Sequence, residues 1–343
     1  MKIKGQVYTL PLRDLKSDVK FYLHDDYNFQ IANEIKQNDS NILCEPIRLI
    51  NINKRGGKKG AFLDIGANIG QYSMVFAAYG YKVFGFDANP INIEQLRNSA
   101  DTNGFNAEFI FAAVTEKSGI CRFNSVGPWG TLLDDVSPPP APYDTIEVNG
   151  IALDDWYIST GKPNISVIKM DIEGAELLAL QGMKNLLEEN DYPLILTEFN
   201  IGFTPHNGKT HNDFLSAFAD YGYHPYTLKH KETLYRHDIN NRFGYVAIEN
   251  YIMLRDEDPI LKDYNVLSFP IKSPKDFLDD AIFSHDVYKY GYAYTVLCEK
   301  ELLAEKESVL LLIDAIRSHN LDPSAQKLLA EIESRMAENG LKE

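Results

Sequence analysis

The stretch Phe62-Leu63-Asp64-Ile65-Gly66-Ala67-Asn68-Ile69-Gly70-Gln71-Tyr72-Ser73 decides the fold of this chain. Its pattern is a short buried strand, a turn with two glycines and the start of a helix. A second strand, Lys82 to Phe86, follows and is succeeded by the acidic residue Asp87. This order predicts a site for a nucleoside-type cofactor at the carboxyl edge of a parallel sheet.

The residues of the turn favour S-adenosylmethionine over other nucleoside cofactors. Dinucleotide sites prefer the pattern G-x-G-x-x-G, whereas this turn carries Asn68 at the middle glycine position. A P-loop requires a lysine after its glycines, and Gln71 stands there instead. S-adenosylmethionine has no phosphate, and its ammonium needs acceptors such as Asp64. The carboxylate of Asp87 suits the ribose, because a carboxylate accepts from both hydroxyls of a cis-diol.

Composition narrows the class of protein. The 343 residues, 44% of them hydrophobic, suffice for one large domain with an appendage. The net charge of -15 argues against binding of nucleic acid, which needs a basic surface. The cysteines Cys44, Cys121 and Cys298 are far apart and indicate neither a disulfide framework nor a zinc knuckle. Because neither a signal peptide nor a membrane-spanning run is evident, we expect a cytoplasmic protein without a membrane span.

Three segments are predicted along the chain. They are an N-terminal helical segment (1–58), an α/β domain (59–255) and a C-terminal helical region (256–343). Alternating strand and helix patterns in the α/β domain predict a mostly parallel sheet with an antiparallel last strand. An insertion before the fourth strand contains the proline run 137–142, which we expect to be an exposed loop. We expect the C-terminal helices to dock on the core, to form a homodimer or to contact another partner.

A second acidic motif follows another buried strand. Its sequence is Val167-Ile168-Lys169-Met170-Asp171-Ile172-Glu173-Gly174-Ala175-Glu176. Asp171 is expected where this strand meets the cleft, opposite the glycine turn. Acids at a helix N-terminus are stabilised by the helix dipole, which alone would explain Glu176. Glu198 ends the next strand of the pattern.

These motifs together resemble the FkbM family of S-adenosylmethionine-dependent methyltransferases over about residues 61–255. The matches also include Phe86-Asp87-Ala88-Asn89-Pro90, Ala112-Ala113-Val114, Thr145 to Trp156 and Leu196-Thr197-Glu198. One departure is Asp87, where the family more often has glutamate. The resemblance implies a Rossmann-like class I methyltransferase sheet and methyl transfer, typically to a hydroxyl of a sugar, glycan, polyketide or other small metabolite.

The strand-end positions and the resemblance identify candidate site residues. A hydroxyl acceptor needs a proton acceptor within hydrogen-bond reach, and the predicted catalytic residues are Asp171, Glu198 and His206, with Glu173 and His211 as further candidates. The expected cofactor-binding residues are Asp64, Gly66, Ala67, Asn68, Gly70, Tyr72, Ser73, Asp87, Ala88, Ala113, Val114 and Asp171. Asp171, Glu198 and a loop histidine are suitable metal ligands, but nothing in their spacing requires a metal.

Two other classes of protein stay open at this point. One is a noncatalytic module that binds S-adenosylmethionine or its product and holds a partner through its helical tail. The presence of Asp171 and Glu198 disfavours that class. The other is an NAD-dependent oxidoreductase, which the missing G-x-G-x-x-G pattern disfavours.

Overall fold

The computed structural model describes residues 4–27, 30–126, 129–132, 144–200, 211–230, 232–240, 248–270, 273–283, 296–297, 300–318 and 323–341. The chain forms two compact units. The first unit comprises Met1–Thr197 and Leu254–Tyr264, and the second comprises Glu198–Met253 and Asn265–Glu343. The predicted division after residues 58 and 255 is a different one and stays a prediction.

The first unit alternates strands and helices along most of its length. Its strands are β1 (Gly5–Leu12), β2 (Ser17–His24), β3 (Ala61–Ile65), β4 (Val83–Asp87), β5 (Ala107–Phe111), β6 (Ala113–Val114), β7 (Gly119–Val126), β8 (Trp129–Leu132), β9 (Asp144–Ile151), β10 (Ile165–Met170) and β11 (Leu194–Asn200), the last of which continues into the second unit. Its helices are α1 (Gln30–Lys36), α2 (Cys44–Arg55), α3 (Gln71–Ala78), α4 (Pro90–Asn103), α5 (Leu153–Ser159), α6 (Glu176–Gln181) and α7 (Lys184–Glu189).

Five of these strands pair in parallel in the order β11-β10-β3-β4-β5. Phe62 on β3 stacks on Phe76 of α3, whereas Phe84 on β4 packs edge-on against Trp156 of α5. Because Phe62 pairs in register with Val83, the side chains of Phe62 and Phe84 point to opposite faces of the sheet. Helices therefore cover both faces, and the predicted α/β fold with a mostly parallel sheet is confirmed.

The N-terminal segment differs from its prediction. Residues 5–24 form the antiparallel hairpin β1–β2, and helices α1 and α2 begin only after it. The predicted helical segment is therefore wrong for these residues. Val19, Phe21 and Leu23 are buried and alternate with more exposed neighbours. This period of two is the signature of a strand, and the helical interpretation overlooked it.

The insertion before β10 is a small sheet within the described residues. Its strand order is β6-β9-β7-β8, with β7 antiparallel to both β8 and β9. Phe123 and Val148 of this sheet form an apolar cluster with Ala88 and Ala113. The insertion thus packs beside the residues that follow β4. The proline run 137–142 lies outside the described residues.

The second unit combines strands with the C-terminal helices. Its strands are β12 (Tyr223–His230), β13 (Thr233–Arg236), β14 (Ile248–Arg255), whose end from Leu254 belongs to the first unit, and β15 (Asn265–Ser268). Its helices are α8 (His211–Ala219), α9 (Pro274–Phe283), α10 (Lys300–Ala304), α11 (Lys306–Arg317) and α12 (Pro323–Glu338). The strands are ordered β15-β13-β12-β14, and β12 pairs with β13 in antiparallel fashion. Helices after residue 256 are confirmed among the described residues, with β15 as a strand that the sequence did not predict.

The C-terminal helices bury a hydrophobic core of their own. Its buried members are Phe277, Leu278, Val296, Leu297, Leu302, Leu303, Val309, Leu312, Ile313, Ile316, Leu329, Ile332 and Met336. Self-association through these helices stays a prediction. Among the described residues, none of the helices has the length and apolar character needed to cross a membrane.

Neighbouring leucines on α11 test this core. Leu312 is 3% exposed, whereas Leu311 is 58% exposed. Leu312→Ala should lower the free energy of unfolding by about 2–5 kcal/mol, because it removes buried methyl groups and leaves a cavity. Leu311→Ala should stay within about 0.5 kcal/mol of the wild type. Denaturant unfolding of both variants measures the difference, and equal effects would contradict a packed helical core.

Candidate active site

The order of the parallel strands locates the site. β4 and β5 follow on one side of β3, whereas β10 and β11 lie on its other side. In doubly wound sheets, ligands bind outside the carboxyl ends of the strands where the order reverses in this way. The turn after β3 begins at Gly66, and the loop after β10 begins at Asp171. The two motifs found in the sequence therefore meet at this edge.

Only glycine fits at the start of the turn. Gly66 has a φ angle of +79°, and a Cβ atom there would lie 1.9 Å from the backbone oxygen of Asp171. The amide of Gly66 donates to the backbone oxygen of Phe86 at 2.9 Å, and the amide of Asp171 donates to that of Ile65 at 3.1 Å. The turn is thus held between the ends of β4 and β10.

A buried lysine joins the turn to the acids around it. Lys169, on β10, donates from Nζ to the backbone oxygen of Gly66 at 2.8 Å. The same ammonium lies 3.2 Å from Oδ2 of Asp171 and 3.9 Å from Oδ1 of Asp64. It also lies 5.7 Å from the ring centroid of Tyr72. One ammonium therefore fixes the carbonyl of the turn and carboxylates from two strand ends.

Asp64 is buried at the centre of this arrangement. Its Oδ2 accepts from Oγ of Ser73 at 2.6 Å, and its side chain is 1% exposed. Within the described part of the chain, its Oδ1 accepts no hydrogen bond. Burial raises the pKa of Asp64, and the charge of Lys169 opposes that shift. A buried carboxylate oxygen without a hydrogen-bond donor is costly, and the ammonium of Lys169 at 3.9 Å offsets part of that cost.

Asp87 lies after β4's apolar residues and accepts three hydrogen bonds. Its Oδ2 accepts from the amide of Asn68 at 2.7 Å. Its Oδ1 accepts from the amide of Asn89 at 2.8 Å and from Nδ2 of Asn92 at 3.2 Å. Burial raises the pKa of Asp87 to about 6, and the hydrogen bonds from Asn89 and Asn68 act in the opposite direction.

These three donors limit what Asp87 can offer a ligand. A carboxylate has about four acceptor positions. Three of them are occupied within the protein, and the remaining one lies on Oδ2. The sequence led us to expect that Asp87 accepts from both hydroxyls of a ribose. In this conformation only one acceptor position of its carboxylate is open, so Asp87 can accept from one ribose hydroxyl. The shorter side chain of aspartate, compared with glutamate, keeps its carboxylate close to the backbone amides.

The sequence of this region matches a known domain. Residues 64–225 match the family described as "Methyltransferase FkbM domain". Residues 64–225 are therefore similar to a methyltransferase FkbM domain. A curated relative, the hexuronic acid methyltransferase AglP of Haloferax volcanii, is 24% identical to this chain over 142 residues. That match covers 41% of this chain and 56% of the relative, so the chain spans about half the length of that protein.

Solved structures similar to this chain include two methyltransferases. One is the methyltransferase FkbM of Methylobacillus flagellatus KT, with 21% identity and a TM-score of 0.30, covering 41% of this chain and 32% of that one. The other is the magnesium protoporphyrin IX methyltransferase ChlM of Synechocystis PCC 6803, with 12% identity and a TM-score of 0.32, covering 66% and 82%. The fold assignment of the FkbM domain rests on its own strand order and register.

The acidic loop of the FkbM domain contains carboxylates with different roles. Glu176 accepts from the amides of Ile172 and Gly174 at 2.9 and 3.0 Å, so it closes the loop onto the first turn of α6. Burial raises the pKa of Glu176 to about 7. Burial and the adjacent charge of Asp171 raise the pKa of Glu173 to about 8. The side chain of Asp171 itself is 37% exposed and is open to an acceptor.

The remaining predicted residues are distributed as follows. Ala67, Ala88, Ala113 and Val114 are small or apolar and buried, and the buried hydroxyl of Tyr72 meets Glu45 at the start of α2. Glu198 is half-buried on β11 and is the first residue of the second unit. His211 packs its ring on Phe199 at 4.1 Å, and burial lowers its pKa well below the usual value. His206 lies outside the described residues.

Sequence reasoning assigned no role to Lys169. The signal was present, because a lysine inside a mostly apolar, fully buried strand must find partners for its charge. The sequence also assigned no role to Tyr27 and Asn92, for a different reason. They are far apart in the chain, and neither stands in a glycine or acidic motif.

The shifted pKa of Glu173 makes stability depend on pH. Its pKa is about 8 in the fold against an ordinary value of 4.5, so the folded chain binds this proton more tightly than the unfolded chain. The free energy of unfolding should therefore fall as the pH rises from 4.5 to about 8. Glu173→Gln should remove this loss and exceed the wild type by at least about 1 kcal/mol at pH 8.5, with little difference near pH 4.5.

Denaturant unfolding across this pH range measures the effect. Glu188→Gln, at an exposed position on α7, is the matched control and should follow the pH dependence of the wild type. A Glu173→Gln variant whose stability tracks the wild type at every pH would contradict a protonated Glu173.

Proposed function

We propose that this chain is an S-adenosylmethionine-dependent methyltransferase that methylates a hydroxyl of a sugar, glycan or related small metabolite. The observation that carries the proposal is the FkbM domain match over residues 64–225, which encloses the glycine turn and the acids around it. Methyltransferase chemistry follows from that family, and the choice of cofactor and acceptor is argued from the site.

The charges at the turn support a cationic cofactor. Asp64 and Asp171 share the single ammonium of Lys169, and Asp87 adds a further carboxylate beside the turn. This excess of negative charge disfavours a pyrophosphate and favours a ligand with positive groups. S-adenosylmethionine has an ammonium and a sulfonium. The negative charge of Asp64 favours the ammonium on that side of the turn, and the open acceptor position of Asp87 fits one ribose hydroxyl.

Asp171 is the residue that we assign to proton transfer. When bound, S-adenosylmethionine supplies an electrophilic methyl group. A hydroxyl that attacks it must release its proton to a base within hydrogen-bond reach. The carboxylate of Asp171 is partly exposed, and Lys169 holds it in one position at 3.2 Å. Fixing the base and the acceptor beside the cofactor lowers the entropy cost of reaching the transition state.

Sugar acids are the acceptor class that we favour. The support is the relative AglP, a hexuronic acid methyltransferase, which shares 24% identity with this chain over 142 residues. Glu198 and His206 remain proposed as further polar groups for the acceptor, alongside Asp171. O-methylation is the reaction expected of such an acceptor, because its nucleophiles are hydroxyl groups.

The experiment compares Asp171→Asn with the wild type. The wild type should bind S-adenosylmethionine and transfer a labelled methyl group to a uronic-acid-containing oligosaccharide. Asp171→Asn should keep its cofactor affinity within about threefold, while transfer falls by about 100-fold or more, because the base is lost. Isothermal titration and a label-transfer assay measure the two quantities. Asp191→Asn, at an exposed position of the same unit, is the matched control.

Two results would contradict the proposal at different points. Failure of the wild type to bind S-adenosylmethionine would remove the cofactor assignment. Continued transfer by Asp171→Asn with cofactor bound would remove the assignment of the base and leave the cofactor intact.

A further inference from the structure

A row of polar side chains on α4 holds the N-terminal hairpin. Asn103, Ser99 and Gln95 accept from the amides of Lys20, Tyr22 and His24 at 2.9, 2.8 and 2.8 Å. Asn103 also donates back to the backbone oxygen of Lys20 at 2.7 Å. Spacings of four residues place these side chains on one face of the helix. The outer edge of β2 is therefore hydrogen-bonded to α4, in place of a neighbouring strand.

The same face of α4 continues to Asn92, which joins the hairpin to the cofactor site. The hydroxyl of Tyr27, three residues after β2, donates to Oδ1 of Asn92 at 2.5 Å. Oδ1 of Asn68 lies 3.2 Å from the same hydroxyl. Nδ2 of Asn92 donates to Oδ1 of Asp87, and the amide of Asn68 donates to its Oδ2. Tyr27 thus contacts two of the three residues that hold the Asp87 carboxylate.

The surroundings of the Tyr27 hydroxyl make it a permanent hydrogen-bond donor. Tyr27 is 8% exposed, and burial together with the charge of Asp87 raises its pKa far above the usual value. Its hydroxyl therefore keeps its proton at physiological pH. By donating to one end of the Asn92 amide, it fixes the other end towards Asp87 and strengthens that donor. The open acceptor position on Oδ2 keeps a constant direction as a result.

We propose that Tyr27 is a positioning residue of the cofactor site, which fixes the Asp87 carboxylate through Asn92 and Asn68 so that it accepts a ribose hydroxyl. The inference rests on the proposed function, since it concerns the ribose of the same cofactor. It makes the N-terminal segment 4–27 a part of the site, although the FkbM match begins only at residue 64.

The test uses Tyr27→Phe in the full chain, which removes one oxygen atom and keeps the ring. S-adenosylhomocysteine is titrated calorimetrically, and adenosine and 2′,3′-dideoxyadenosine are then compared as competitors. The wild type should prefer adenosine. Tyr27→Phe should weaken S-adenosylhomocysteine binding by about three- to tenfold, and it should reduce the preference for adenosine by a similar factor.

Tyr81→Phe is the matched control. Its hydroxyl also meets an asparagine, Nδ2 of Asn53 at 3.1 Å, in the same unit and away from the turn. This variant should keep the adenosine preference of the wild type, whatever its effect on thermal stability. The preference for the ribose hydroxyls is the readout that a merely structural role would not change.

The outcomes separate this inference from the proposed function. If the wild type fails to bind S-adenosylhomocysteine, the proposed function and the inference both fall. If the wild type binds and prefers adenosine, an unchanged preference in Tyr27→Phe overturns the inference alone. An equal loss of preference in Tyr81→Phe would also overturn it, because the effect would then be general.

Discussion

The contact on which the site depends is the buried ammonium of Lys169 against the backbone oxygen of Gly66. It joins β10 to the turn after β3 at the place where the strand order reverses. Because the same ammonium also faces Asp64 and Asp171, it compensates charges that burial alone would make very costly. Removing Lys169 would leave the buried carboxylate of Asp64 without this compensation.

The backbone of the turn at Gly66 also determines which charged side chains lie beside it. Gly66 admits no side chain because the backbone of Asp171 passes directly beside it. The close approach of the two strand ends brings their carboxylates to one edge, and the lysine offsets only part of that charge. The result is a sheet edge with a negative character, which supports the proposal of a cationic ligand. Burial raises the pKa of Glu173 to about 8 and that of Glu176 to about 7, which reduces the negative charge that they add to the edge near neutral pH.

The sequence predicted the positions of residues that depend on local pattern, and their roles in binding stay predictions. The strand Ala61–Ile65, the glycine turn and the acids Asp64, Asp87 and Asp171 were all placed correctly along the chain, because buried strands, glycines and strand-end acids leave short signals.

Contacts between distant residues were not predicted. Lys169 and Gly66 are 103 residues apart, and Tyr27 and Asn92 are 65 apart. Periodicity shows that such residues face the interior, but it does not show which partner each one meets. The hairpin β1–β2 was not predicted. Its alternation of apolar and polar residues is short, and the apolar residues that follow it have helical spacing, which determined the interpretation of the whole segment.

The central claim is that the turn held by Lys169 binds the nucleoside and amino-acid parts of S-adenosylmethionine. A crystal structure of the chain with S-adenosylhomocysteine tests this claim most directly. We expect the nucleoside to lie beside the ends of β3 and β4. One ribose hydroxyl should donate to Oδ2 of Asp87, and the ligand ammonium should lie on the side of Asp64. A nucleoside bound elsewhere on the chain, or a turn without ligand at saturating concentration, would contradict it.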